Sequence, residues 1–213
     1  MDKLPKPSNY AQALQPIFEA ISNSHYAISD RFDDHALSKG QILLDVENLK
    51  KQKGLQISVR DNGVGMDSTR FDAFCEVDTD YKKEKGGKGV GRLFWLDSFE
   101  KINVTSRYGS IDPEELEFNF RLRESNQIEE SESPTVGFSG LGTEIKFSNI
   151  RNNEYAENFP KREDTFLRYF ASHFISDFLM DASPEVIVTI DGSEYGSEGF
   201  RQCSLDQPEI WRN

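Results

Sequence analysis

The residues of this chain with the clearest chemical potential lie in two segments punctuated by glycine. Segment 61–65 reads Asp-Asn-Gly-Val-Gly and follows alternating apolar side chains, which predict a strand over 55–60. An aspartate at a strand end, beside a turn without bulky side chains, can accept hydrogen bonds from a ligand. Segment 86–91 reads Gly-Gly-Lys-Gly-Val-Gly and precedes an apolar run, 93–96, that predicts a helix. Backbone N–H groups there can surround an anion, so the two segments together predict a site for a base and for phosphates.

Neither segment alone is specific, because both depart from the common nucleotide fingerprints. Segment 86–91 lacks the Gly-Lys-Ser/Thr ending of a P-loop, and no acidic residue follows at the distance that a dinucleotide-binding turn requires. Two further elements supply the missing information. Helical spacing over 10–32 places Glu19 and Asn23 one turn apart on one face, where a carboxylate and an amide can hold a water and a metal ion. Thr143 offers a hydroxyl at a Gly-Leu-Gly turn before another predicted strand.

These four elements, in this order, resemble the motifs of the GHKL ATPase superfamily, which groups DNA gyrase B subunits, heat-shock chaperones of the ninety-kilodalton class, histidine kinases and MutL. The N box resembles 19–24, the two glycine boxes resemble 61–65 and 87–91, and the final box resembles 142–143. The similarity covers about residues 10–150. It implies an α+β protein with the Bergerat fold, a two-layer α/β sandwich whose mixed, mostly antiparallel sheet carries helices on one face. ATP would bind between the helices and a mobile, glycine-rich lid, which we expect over 77–91.

The resemblance also implies a role for each matching residue. Such a set suits phosphoryl transfer, which needs positioning and charge neutralisation more than covalent chemistry. Asp61 would accept the adenine amino group, directly and through a water shared with Thr143. Asn23 would ligate Mg²⁺, and Glu19 would be the catalytic residue that polarises the attacking water. The remaining ATP contacts would be Gly63, Gly65 and Met66 in and after the first glycine segment, and Gly87, Lys88, Gly89, Val90 and Gly91 around the β- and γ-phosphates.

The function that the resemblance implies is Mg²⁺-dependent ATP hydrolysis that drives conformational switching or ATP-dependent homodimerisation of a larger protein, as in the chaperone, MORC and MutL branches. One residue departs from the pattern, because chaperone and MutL relatives commonly carry Asp where this chain has Tyr26. Two alternatives stay open: an interaction module that binds ATP or ADP without turnover, and a phosphotransferase like the histidine kinases. On residue type alone, Asp61 is also typical of a plain turn, and Glu19 and Asn23 of a solvated helix face.

Composition limits the remaining possibilities. The 213 residues can bury one substantial core, which predicts an ATP-binding core over 1–150 and an amphipathic helix plus a strand over 151–213 that complete or flank the same domain. A net charge of −12 argues against a broad nucleic-acid surface. Two scattered cysteines suit a reducing compartment, and no apolar run reaches transmembrane length. We therefore expect a cytoplasmic protein without a membrane partner.

Periodicity predicts the other elements that position these residues. Phenylalanines recur every four residues from Phe166 to Phe178, which predicts one long helix that ends before Pro184. The sequence leaves open whether the strand after this helix joins the same sheet. A short helix is expected over 68–74. The predicted strands are 42–47, 55–60, 102–107, 116–122, 144–147 and 185–190.

Overall fold

A mixed, open β-sheet forms the framework of the protein in a computed structural model. The described residues are 5–51, 54–75, 91–109, 116–122, 129–130, 140–174, 176–177, 183–196 and 200. The strands are β1 (Gln41–Glu47), β2 (Gln56–Asp61), β3 (Phe99–Tyr108), β4 (Leu116–Leu122), β5 (Glu129–Glu130), β6 (Gly142–Ile150), β7 (Glu185–Ile190) and β8 (Ser193–Tyr195). Their order is β5-β4-β3-β6-β2-β1-β7-β8. Strands β1 and β7 pair in parallel and the other described neighbours are antiparallel, so the protein is α+β with a mixed sheet, as predicted.

One long helix, α1 (Tyr10–Phe32), has the bounds that the sequence predicts. Asn9 caps its N-terminus by accepting a hydrogen bond from the N–H of Gln12. Pro16 lies inside the helix and donates no backbone hydrogen bond. The helix continues through this residue because the apolar face of α1 packs on β1, β2 and β6. Among the described residues, no helix has the length and apolar composition needed to cross a bilayer. The other helices described are α2 (Ala36–Lys39), α3 (Ser68–Cys75), α4 (Gly91–Ser98), α5 (Asn153–Asn158) and α6 (Glu163–His173), with a 3₁₀ turn at Asp33–His35.

Strand alternation gives the sheet an apolar face. On β1, Ile42, Leu44 and Val46 are buried, whereas Leu43 is only partly buried and Asp45 and Glu47 are exposed. Helix α1 covers the apolar face, and α4 packs against both α1 and β3, an arrangement consistent with a two-layer α/β sandwich. Strand pairing continues the buried positions across the sheet in rows, one of which is Val188, Leu44, Val59, Ile145 and Val104.

The row at one end of this same face is polar. Asp61 ends β2 and lies beside Thr143 of β6, whose partner on β3 is Ser106. All three side chains are buried. Because strand register has a period of two, these residues share the face that α1 covers. The sheet therefore brings a carboxylate and two hydroxyls together under a helix, at the edge of an otherwise apolar core.

The C-terminal part differs from the sequence prediction in two respects. The phenylalanine-rich helix α6 ends at His173, whereas the prediction continued it to just before Pro184. Phe174 leaves helical geometry at φ −102° and ψ 15° while its side chain stays buried, and Phe178 lies outside the described residues. Helix α5 and strand β8 were not predicted, because elements of six and three residues are too short to show a period. Strand β7 pairs with β1, so this part of the chain adds to the same sheet.

Trp95 of α4 offers a test of how the helix layer is held on the sheet. Its side chain is 1% exposed, its Nε1–H donates to the carbonyl oxygen of Pro16 in α1 (2.9 Å), and its ring meets Phe147 of β6 edge to face. We expect Trp95→Ala to lower the free energy of unfolding by about 3–5 kcal/mol, measured by urea denaturation. Leu37→Ala, at a side chain that is 52% exposed, is the control and should change it by about 0.5 kcal/mol or less. Equal effects of the two substitutions would contradict this account of the packing.

Candidate functional site

The candidate site is centred on the Asp61 carboxylate, which is 6% exposed. One oxygen, Oδ2, accepts a hydrogen bond from the hydroxyl of Ser24 in α1 (3.0 Å). The other, Oδ1, accepts from the N–H of Gly63 (2.8 Å) and from the N–H of Thr143 (3.2 Å). The helix, the first glycine segment and the neighbouring strand therefore all hold the same carboxylate in one orientation.

The protein environment disfavours the charge on Asp61. Burial raises the pKa of this carboxyl from 3.8 to about 6, although hydrogen bonds from Gly63, Ser24 and Thr143 and the positive charge of Arg31 lower it. A buried carboxylate whose pKa approaches neutrality costs stability in the folded state. Such groups cluster at functional sites, which makes Asp61 a candidate for ligand binding on physical grounds.

Asp61 opens onto a cavity of about 140 Å³, where roughly 10–15 Å³ suffices for one water. Apolar side chains from several elements form its walls, among them Ala27, Met66, Phe74, Trp95 and Ile145. Its polar groups at the buried end are the carboxylate of Asp61 and the hydroxyls of Ser24 and Thr143. An apolar slot with a few convergent polar groups suits a flat, largely neutral ligand that donates a hydrogen bond to the carboxylate.

Two glycines allow the segment after Asp61 to pass between α1 and β3. A Cβ on Gly63 would lie 2.6 Å from both the carbonyl carbon and the Cβ of Ala27, and the next residue, Val64, donates its N–H to the carbonyl oxygen of Ala27 (3.0 Å). Gly65 has φ +75°, and a Cβ there would overlap the carbonyl oxygen of Arg107. Gly65 and Met66 line the cavity, whereas the space beside Gly63 is filled by α1.

Ser106 is a site residue that the sequence analysis missed. Its side chain is fully buried, accepts a hydrogen bond from the N–H of Met66 (2.8 Å), and lies 2.9 Å from the hydroxyl oxygen of Thr143. It therefore connects the first glycine segment to the residue predicted to share a water with the ligand. A signal existed, since Ser106 continues the alternation of Ile102 and Val104 and is a polar residue on an apolar face.

Arg31, in the last turn of α1, is a second residue that was missed. Its Nη1 donates to the carbonyl oxygen of Asn62 (2.6 Å) and lies 3.4 Å from the carbonyl oxygens of both Gly63 and Leu141. One guanidinium thus joins the segment that follows Asp61 to the turn that precedes Thr143. No local sequence pattern predicts such a contact, because the groups that accept from Arg31 are backbone carbonyls far along the chain.

Asn23 and Glu19 lie one turn apart on α1, but their side chains have different surroundings. Asn23 lines the cavity. Glu19 is not among the residues that line it, and its Oε1 accepts a hydrogen bond from Nε2 of Gln15 (3.0 Å). The charge of Glu19 also acts on His173, where burial lowers the imidazole pKa and Glu19 raises it. In the described part of the chain, Glu19 therefore faces α6 more than the cavity.

The side of the cavity nearest to solvent carries charged and aromatic groups. Tyr26, the residue that departs from the superfamily pattern, lines the cavity and is 43% exposed. Arg70 of α3 pairs with Asp30 of α1 (3.3 Å) and with Asp67 (2.6 Å), and so connects the two helices beside this opening. These partly exposed groups meet whatever part of a ligand extends beyond the apolar walls.

The second glycine segment lies almost wholly outside the described residues. Gly87, Lys88, Gly89 and Val90 are among the residues not described, as is most of the expected lid over 77–91. Gly91 is described and begins α4, which agrees with a segment that leads into a helix N-terminus. Within the described residues, no group of three His, Cys, Asp or Glu side chains is arranged to hold a metal ion. Mg²⁺ at Asn23 would then need further oxygens from ligand phosphates, its usual mode in nucleotide sites.

Comparison with known proteins does not assign a family to this geometry. No protein-family model matches the chain, and a search of curated proteins finds no match. The described residues alone define the candidate site, with Asn23, Asp61, Gly65, Met66 and Thr143 around one cavity.

The raised pKa of Asp61 predicts how stability depends on pH. Its contribution to the free energy of unfolding is fully present below pH 3.8, the unfolded value, and is lost as the pH rises through about 6. The loss amounts to about 3 kcal/mol.

Asp61→Asn keeps an acceptor oxygen and removes the charge, so we expect it to stabilise the unliganded protein at pH 7 and to flatten the dependence of stability on pH, as measured by urea unfolding from pH 4 to 8. Asp45→Asn, at an exposed carboxylate of β1, is the matched control. If Asp61→Asn were less stable than wild type at pH 7, the carboxylate would have a folding role instead.

Proposed function

We propose that this chain binds ATP with Mg²⁺ and hydrolyses it, and that the cycle drives conformational switching or homodimerisation of a larger protein. The observation that carries the proposal is the buried Asp61 carboxylate at the polar end of an apolar cavity. Together with this function, we propose that the chain has a Bergerat-type fold in which residues 77–91 are a glycine-rich lid. The mixed sheet with α1 across one face is consistent with that fold.

Adenine is the base that the chemistry of the cavity favours. Its exocyclic amine can donate to the Asp61 carboxylate, whereas guanine presents a carbonyl oxygen at the equivalent position and would be repelled. The apolar walls, which include Met66, Phe74 and Trp95, suit the faces of a purine ring. The hydroxyl of Thr143 offers a second polar group beside the carboxylate, directly or through a shared water.

The phosphates would extend toward Asn23 and the second glycine segment. Asn23 lies on the cavity wall one turn before Ala27, and Gly91 begins α4, where free backbone N–H groups favour an anion. Asn23 and the phosphate oxygens would hold Mg²⁺, which supplies charge neutralisation for phosphoryl transfer. Gly87, Gly89 and Lys88 would close around the β- and γ-phosphates.

A second candidate function is ATP binding without turnover, and the position of Glu19 is what favours it. The proposed catalytic carboxylate accepts a hydrogen bond from Gln15 and does not line the cavity among the described residues. Hydrolysis therefore requires Glu19 to reach an attacking water once ligand is bound, because a general base must come within hydrogen-bond reach of the proton that it takes. In the second candidate, ATP or ADP instead orders an interaction surface.

Nucleotide binding is tested by calorimetric titration with a non-hydrolysable ATP analogue, with and without Mg²⁺. We expect binding that tightens with Mg²⁺ and is abolished by Asp61→Asn, because an amide can place a donor against the adenine amine. Asp45→Asn removes an exposed carboxylate from β1 and should bind like wild type. Equal binding by Asp61→Asn and wild type would show that the carboxylate does not contact the ligand, and the proposal would fail.

Turnover is tested by phosphate release from Glu19 variants. We expect Glu19→Gln and Glu19→Ala to retain nucleotide binding and to lose about 10²–10⁴-fold in rate, the usual contribution of a general base. Gln15→Ala removes only the hydrogen-bond partner of Glu19 and serves as the control, with a smaller effect. Phosphate release by Glu19→Ala at the wild-type rate would remove Glu19 from the mechanism. Bound ATP without release in the wild type would favour the second candidate.

A further inference from the structure

Building on the proposed function, we propose that Arg31 is a positioning residue of the nucleotide site: it ties the segment after Asp61 to the turn before Thr143 and keeps the carboxylate able to accept a hydrogen bond from the base. The proposal concerns a residue outside the four sequence motifs. It is carried by contacts between one guanidinium and three backbone carbonyls.

The contacts of Arg31 join segments that are distant in sequence. Its Nη1 donates to the carbonyl oxygen of Asn62 at 2.6 Å, a short distance typical of a charge-assisted hydrogen bond. The carbonyl oxygens of Gly63 and Leu141 both lie 3.4 Å from the same nitrogen. Carbonyl groups that converge on one point repel each other, so a cation between them holds the two segments together. These segments carry the two residues that are proposed to recognise the base.

The position of Arg31 in α1 makes this connection rigid. It lies in the last turn of the helix, where a positive charge is favoured by the helix dipole. Val64 donates its N–H to Ala27 one turn earlier, so the first glycine segment is attached to α1 at two successive turns. Arg31 therefore attaches the first glycine segment and the turn before Thr143 to the same end of α1.

Arg31 also acts on the charge of Asp61. From α1, the hydroxyl of Ser24 and the guanidinium of Arg31 face the carboxyl, and the N–H groups of Gly63 and Thr143 face it from the strand ends. All four lower its pKa against the larger effect of burial. Among the charged groups of the described residues, Arg31 is the one whose charge shifts the pKa of Asp61. Besides Asp61, the charged side chains that line the cavity are Asp30 and Arg70, which pair with each other at 3.3 Å.

Three substitutions of Arg31 separate its two roles. Arg31→Lys keeps the charge, Arg31→Gln keeps a donor for the carbonyls without the charge, and Arg31→Ala removes both. Arg60→Gln is the matched control, because it removes the same charge from the residue next to Asp61 on the opposite face of β2. If Arg31→Ala fails to fold, Arg31→Gln and Arg31→Lys still test the effect of charge.

The first measurement is carboxyl-carbon NMR of aspartate-labelled protein between pH 4 and 8 without ligand, with the Asp61 signal assigned by its loss in Asp61→Asn. We expect Arg31→Gln to raise the midpoint of Asp61, because the positive charge of Arg31 lowers the pKa of this carboxyl, although less than its hydrogen bonds do. Arg31→Lys and Arg60→Gln should leave it close to wild type. An unchanged midpoint in Arg31→Gln would overturn the proposal.

The second measurement is binding of the ATP analogue over the same pH range. The pH at which affinity is lost on acidification should rise with the NMR midpoint in Arg31→Gln. At pH 8, where the carboxylate is ionised, Arg31→Ala should bind about tenfold more weakly than Arg31→Gln, because only the latter keeps a donor. Equal affinities there would overturn the positioning role. Failure of the wild type to bind at any pH would overturn the proposed function, whereas the ligand-free NMR result tests Arg31 independently.

Discussion

The physical constraint on which the rest of this structure depends is the burial of an ionisable carboxylate at the end of an apolar sheet face. Asp61 is 6% exposed, and burial raises its pKa to about 6 despite three hydrogen bonds and a nearby arginine. An apolar or amide side chain would fill this position at a lower cost in desolvation. Desolvation therefore disfavours an aspartate here, where the carboxylate faces a cavity.

The surrounding elements are arranged so that this carboxylate keeps its geometry. Helix α1 supplies Ser24 to one oxygen, and its close approach to the first glycine segment depends on the absence of a Cβ at Gly63. The strands β2, β6 and β3 place Asp61, Thr143 and Ser106 in one polar row. The same close packing that fixes the orientation of the carboxylate thus also joins the helix layer to the sheet.

Much of the candidate site could be predicted from the sequence, because its members lie in short segments with recognisable chemistry. Asn23, Asp61, Gly65, Met66 and Thr143 were predicted from spacing and resemblance, and they line one cavity. Glu19 was placed beside Asn23 by helical periodicity, but periodicity gives only an approximate direction, and the side chain interacts with Gln15 and His173 instead. Arg31 could not be predicted, since a hydrogen bond to backbone carbonyls leaves no pattern in the partner residues.

The sequence by itself determined the class of fold, the bounds of α1, the existence of six of the eight described strands, and the identity of the acidic and glycine residues, because these follow from local periodicity and turn chemistry. Tertiary structure decided which of them meet. It put β7 beside β1 in parallel, ended the phenylalanine-rich helix at His173, and brought Ser24, Ser106 and Arg31 to the predicted site. The reason is that strand order and helix docking are set by contacts between residues far apart in the chain, which no local pattern encodes.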